Sequence, residues 1–183
     1  TQKPHYKPYL VKEVAGVKIG VLGLTTPGIP NWDNPPNYAG LEFHEPVAEA
    51  RKWVPMLRDQ EKVDVVVIAM HMGLGEDLKT GEETPGQVPH ENDAVEIAKE
   101  VPGIDAIFMG HTHREISSLY INGVLITQAN AWGRHLARAD IYLEKGASGW
   151  RVYAKAARTL PSEDRLEPDP EVVKIAEPYD SET

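Results

Sequence analysis

Apolar residues in this chain gather into short dense runs separated by polar stretches rich in proline and glycine. VKIGVLGLT (17–25), VDVVVIAMHMG (63–73, strand proper 63–70) and IDAIFMG (104–110, strand proper 104–109) are β-branched and apolar at nearly every position. That pattern predicts strands buried on both faces, as in a parallel sheet. Between the first two runs the apolar spacing lengthens. Val47, Ala50, Val54 and Leu57 recur every three or four residues behind Glu45-Pro46, which predicts a helix with proline in its first turn. Pro55 lies inside that pattern and predicts a kink or a split. A second helix is expected near 93–101, with Asn92 as N-cap and Pro102-Gly103 as its stop.

Beyond residue 115 the period shortens to two. SSLYING-VLITQA (117–129) reads as two strands joined at Asn122-Gly123, a hairpin signal. LARADIYLEK (136–145) and WRVYAKAART (150–159) alternate likewise, with a glycine-rich turn between them. The expected fold class is therefore α/β: a parallel strand–helix–strand part, then antiparallel strands near 117–159 that pack against its sheet to complete a β-sandwich core. Residues 1–16 read as an extended arm closed by Ala15-Gly16. The tail from 161 reads as a linker, with a helix starting at Asp169-Pro170 and Asp169 as its cap. The segments 26–40 and 74–92 are expected to be long loops, and long ordered loops often carry function.

Composition narrows the chemistry. The 183 residues suffice for one domain with a sizeable core. There is no cysteine, which excludes a disulfide framework, a thiolate metal site and a cysteine nucleophile. A net charge of −9 disfavours a nucleic-acid polymer as partner. It still allows a phosphate ester where a metal inverts the local field. No apolar run approaches the roughly 20 residues needed to span a bilayer. The N-terminal TQKPHYKPYL is polar and unlike a signal peptide.

Three histidines share one kind of position. His71, His111 and His113 each lie just past the C-terminal end of an apolar strand, and Gly73 and Gly110 beside them permit tight turns and close approach. Parallel strands align those ends on one edge, where α/β proteins gather ligands. Three imidazoles on one edge are a metal-ligating set. The competing readings are three hydrogen-bonded rim histidines on a non-catalytic α/β binding domain, or a single three-histidine zinc site with an open position.

GHTH after the IDAI strand, HMG after the VVVIA strand and the segment QANAWGRHLAR together resemble the later motifs of calcineurin-like metallophosphoesterases. Within that family the chain is similar to the branch of 5'-nucleotidases and 2',3'-cyclic-nucleotide 2'-phosphodiesterases. PGIPNWD and PHEN lean towards the cyclic-nucleotide pattern, while Met70 before His71 departs from the more usual Ser or Pro. The resemblance implies a metal-dependent phosphoester hydrolase acting on 2',3'-cyclic nucleotides and/or nucleoside 5'- or 3'-monophosphates. It implies two divalent ions (Mn, Zn, Fe or similar), with His71 and His111 on one and His113 on the other. It also implies a periplasmic, cell-surface or secreted setting. The D-x-H, G-D and G-N-H motifs that complete the family's centre do not occur in this sequence. The expectation is therefore that 1–160 is the C-terminal portion of the metallophosphoesterase domain and 161–183 a linker entering an interdomain helix. Its partners would be an N-terminal half and a C-terminal nucleotidase domain. Alone, the chain would bind metal weakly or in part and be inactive or nearly so.

Around the histidines, Asn130, Trp132, Trp32 and Arg114 are the candidates for contacting substrate: two aromatics that can stack on a base, an amide and a guanidinium. His135 reads as structural, His44 and His90 as surface residues. Glu76, Asp77, Glu82 and Glu83 read as a solvated charged loop.

Overall fold

The computed structural model describes residues 6–82, 86, 88–147, 149–163 and 165–180. Residues 1–5 of the expected arm, Glu83 of the charged loop and 181–183 of the expected tail lie outside the described residues. The strands are β1 (Tyr9–Val14), β2 (Val17–Thr25), β3 (Val65–His71), β4 (Ala106–Met109), β5 (Glu115–Ile121), β6 (Val124–Ala129), β7 (His135–Gly146) and β8 (Gly149–Pro161). The helices are α1 (Ile29–Trp32), α2 (Pro46–Asp59), α3 (Ala94–Glu100) and α4 (Pro170–Asp180), with a 3-10 turn at Pro35–Tyr38.

Six strands form one mixed sheet in the order β1-β2-β3-β4-β6-β5, and β7-β8 form a two-stranded antiparallel sheet. The expected mixed α/β architecture is what the chain adopts. Strands β2, β3, β4 and β6 run parallel to one another, while β1 and β5 close the two edges antiparallel. Both edges refine the sequence reading. The arm before Ala15-Gly16 is a strand, because Ala15 (φ 52°) and Gly16 (φ 78°) turn it back onto β2. The β5-β6 hairpin turns at Asn122 and Gly123, both left-handed as a tight hairpin requires. It does not stack on the sheet but extends it, with β6 beside β4. Only β7-β8 lies apart, packed against β5 and β6.

The core lies between the sheet and the two longer inner helices. Leu22, Val66, Ile68, Met70, Ile107 and Ile126 point from the sheet onto Val47, Ala50, Val54 and Leu57 of α2 and onto Ala94, Ile97 and Ala98 of α3. All of these are buried. Each Val, Leu, Ile or Met among them contributes about 1.5–3 kcal/mol on burial. α2 runs through Pro55 unbroken, so the expected split does not occur. At the N-terminal edge of the sheet, Arg58 ties the end of α2 to Asp105 (2.6 Å), whose carboxylate also accepts the Val66 N–H (2.8 Å). This clamp fixes the strand register away from the opposite edge, leaving that edge to its loops.

α3 is capped differently from expectation. Asp93 occupies the N-cap and makes no side-chain capping bond, while the Asn92 Oδ1 accepts the Gly73 N–H at 2.7 Å. The cap at Asp169 is as read: its Oδ1 accepts the N–H groups of Glu171 (2.8 Å) and Val172 (3.4 Å).

Candidate metal centre

Register decides what meets at the C-terminal edge. His71 lies opposite Thr25, Met70 opposite Met109, and Met109 opposite Gln128. Four parallel strands thus end level, and the segments leaving them carry Trp32, His71, His111 with His113, and Asn130 with Trp132. Six of the seven sequence candidates are drawn from those four segments, and Arg114 follows directly on His113.

The rings gather as that register requires. His71 and His111 have centroids 5.2 Å apart at 61°, and the Trp32 ring also lies 5.2 Å from that of His111. His113 stands 5.2 Å from Trp132, whose face carries the Arg134 guanidinium at 4.7 Å. Burial, then the neighbouring His111 and His113, push the His71 pKa below the usual imidazole value. His71 is therefore in electrostatic reach of both other imidazoles and resists protonation. Gly110 makes the approach possible, since a Cβ there would sit 3.1 Å from the His71 Nδ1. A Cβ on Gly73 would meet the Asn92 Oδ1 at 2.5 Å and the Thr112 Cγ2 at 2.4 Å, so the turn after His71 needs glycine as well.

The backbone at this edge is held in an unfavourable region. His111 (φ 69°), His113 (φ 55°), Asn130 (φ 66°) and Trp132 (φ 55°) are all left-handed. Each such non-glycine residue costs about 1–3 kcal/mol and persists only where its surroundings over-determine it; such strain clusters at functional sites. The supports are visible. The Asn130 N–H donates to the Arg114 carbonyl (3.0 Å), the Asn130 Oδ1 accepts the Ala131 N–H (2.9 Å), and the Thr112 hydroxyl donates to the buried Gln128 (3.1 Å).

Sequence reasoning passed over Glu91. Its Oε1 lies 2.8 Å from the His111 Nε2, with both side chains largely buried. A lone glutamate in a polar loop carries no periodic signal, and only its place in PHEN next to Asn92 marked it. The His135 Nε2 lies 3.6 Å from a Glu115 carboxylate oxygen. His44 and His90 stand half exposed beside Glu49 and Asp93. In the charged loop Glu76 pairs with Lys99, and Asp77 accepts the Lys79 and Thr80 N–H groups.

The donor chemistry at the edge fits divalent metal ions, which imidazoles bind as neutral ligands. Among the described residues, three His, Asp or Glu side chains bring ligand atoms within 4.8 Å of one another at Glu45, His90 and Asp93. The strand-edge imidazoles do not meet that spacing as a trio. They form a pair with a neighbour, so the geometry does not favour a single three-histidine zinc site.

A family model described as calcineurin-like phosphoesterase matches residues 7–115. The protein UshA of Yersinia enterocolitica is 34% identical over 166 residues, which cover 80% of this chain and 29% of that protein. The 2',3'-cyclic-nucleotide 2'-phosphodiesterase/3'-nucleotidase of Salmonella typhimurium is 31% identical over 186 residues, covering 90% of this chain and 27% of that protein. Among solved structures, the calcineurin-like phosphoesterase YfkN of Bacillus subtilis has a TM-score of 0.79 at 25% identity, over 98% of this chain and 58% of that one. The chain thus spans less than a third of the length of these two curated relatives.

Proposed function

Because the chain belongs to the calcineurin-like phosphoesterase family, we propose that its strand-edge imidazoles form part of a two-ion centre that hydrolyses phosphate esters of nucleotides. The observation that carries this reading is the approach of His71 and His111 to 5.2 Å across the level ends of two adjacent parallel strands. His71 and His111 would hold one divalent ion and His113 its neighbour. The ions supply Lewis-acid polarisation of the phosphoryl oxygens and a metal-acidified water. The chain's own part is to hold the imidazoles and shape the approach. Trp32 against His111 and Trp132 against His113 wall the edge, each offering a face on which a base can stack. Arg114 and Asn130 supply a guanidinium and an amide for the phosphate or the sugar.

The substrates we propose are 2',3'-cyclic nucleotides and/or nucleoside 5'- or 3'-monophosphates. The name of the Salmonella typhimurium relative supports the cyclic nucleotides and the 3'-monophosphates, and that of a 5'-nucleotidase of Vibrio cholerae, 30% identical over 166 residues, supports the 5'-monophosphates. The activity is that of a longer protein, since three neutral imidazoles bring no negative charge to balance two dications and the D-x-H, G-D and G-N-H motifs are not in this sequence. A periplasmic, cell-surface or secreted setting is part of the proposal. No helix among the described residues is long and apolar enough to cross a membrane.

Calorimetric titration with Zn²⁺ or Mn²⁺ tests the reading, run beside a chromogenic phosphodiester assay. We expect weak binding that disappears in the His71→Ala/His111→Ala double variant, with turnover near background. Binding that survives loss of both rings contradicts the centre, and robust turnover by the isolated chain contradicts the need for further ligands.

A further inference from the structure

His111 is held by more than its backbone. Its ring has two ring neighbours, Trp32 and His71, each with its centroid 5.2 Å away. Its Nε2 meets the Glu91 Oε1 at 2.8 Å, with the side chains 18% and 9% exposed. The other oxygen of Glu91 accepts the Val88 N–H at 3.3 Å, so the carboxylate is itself anchored. The next residue, Asn92, is fixed to the Gly73 N–H at 2.7 Å, two residues past His71. One loop therefore reaches the ends of both β3 and β4.

An ionised carboxylate only accepts, so the ring nitrogen facing it must carry the proton. A neutral imidazole has one N–H, and the nitrogen that remains has the lone pair. Resting on the metal reading above, we propose that Glu91 is the positioning residue for His111: it fixes the proton on Nε2 and thereby designates Nδ1 as the atom that His111 offers to an ion. Carboxylates bonded to the far nitrogen of a metal-ligating histidine set ring orientation and tautomer in this way. Two donors, His111 Nε2–H and Val88 N–H, converge on this side chain. A glutamine at the position has a single acceptor oxygen and cannot serve both without reversing the tautomer or leaving one donor unmet.

Two-bond ¹H–¹⁵N correlation of the imidazoles, above the range in which they protonate, tests the assignment without metal. Wild type should show His111 as the single Nε2–H tautomer. Glu91→Gln, which keeps the volume, should lose that single form, and Zn²⁺ affinity should fall by about 10–100-fold. Glu91→Ala should do the same. If it does not fold, the wild-type and glutamine spectra decide. An Nδ1–H tautomer in wild type overturns the proposal, as does a Glu91→Gln protein with unchanged tautomer and unchanged affinity. His71→Ala serves as the separate control. If Zn²⁺ binding ignores His71 and His111 altogether, the metal reading fails, while the tautomer result still stands or falls on its own spectrum.

Discussion

His111 and His113 were visible in the sequence because an apolar strand stops directly before them, and a strand end is a position that register can place. Their left-handed backbone was not visible, nor was that of Asn130 and Trp132. Such conformations are imposed by contacts from other segments, such as the Asn130 N–H on Arg114. Glu91 and Asn92 were missed as partners for the same reason: each acts across the fold, on His111 and Gly73. Asp93 is a further case, an N-cap residue whose buried carboxylate turns to His90 at 3.0 Å and not to the helix. Burial pushes its pKa up; the bond and charge of His90 oppose this, and Glu45 adds to it. The net shift is upward, so the folded protein holds this proton more tightly than the unfolded chain does. The stabilisation is full below the unfolded value of about 3.9 and is lost as pH rises through the higher folded value. Asp93→Asn removes the titration. Urea midpoints should therefore show the variant gaining on wild type as pH rises above the unfolded value of about 3.9. A constant gap between the two proteins, or one that moves the other way, contradicts the assigned shift.

Elements followed from periodicity wherever one face or both faces were apolar. β2 runs over the nine residues its pattern marked, and the β5-β6 turn falls on Asn122-Gly123. Periodicity did not say which strand sits beside which: β6 is as apolar as a central strand because it is one, paired with β4. β1 was missed because five of its six residues are exposed on an edge, which leaves no buried stripe to read. The unbroken α2 shows packing overriding propensity. Val54 and Leu57 are fully buried on either side of Pro55, and the core holds the helix together across the missing N–H. Pro55 itself is exposed, and its ring leaves the Arg51 carbonyl without its helical donor. Pro55→Ala should therefore raise stability by about 1–3 kcal/mol in urea denaturation. An unchanged or lower value would show that the helix is bent to accommodate the ring and gains nothing from its removal.

At the scale of the molecule, one geometric fact organises the rest: four parallel strands end level, with β3 and β4 clamped at their other ends by Arg58 and Asp105. Every ring of the proposed centre leaves that edge. The acidic grouping of Glu45, His90 and Asp93 lies at the starts of α2 and α3 and offers an ion a carboxylate-rich alternative. The two environments differ in ligand atoms, which a spectroscopic probe distinguishes. The most direct test is the zinc X-ray absorption spectrum of the chain loaded with one equivalent of Zn²⁺. The account predicts at least two imidazoles at about 2.0–2.1 Å, and a signal that loses its imidazole scattering in the His71→Ala/His111→Ala variant. A shell dominated by carboxylate oxygen, or an imidazole signal indifferent to the loss of both rings, would place the ion elsewhere and contradict it.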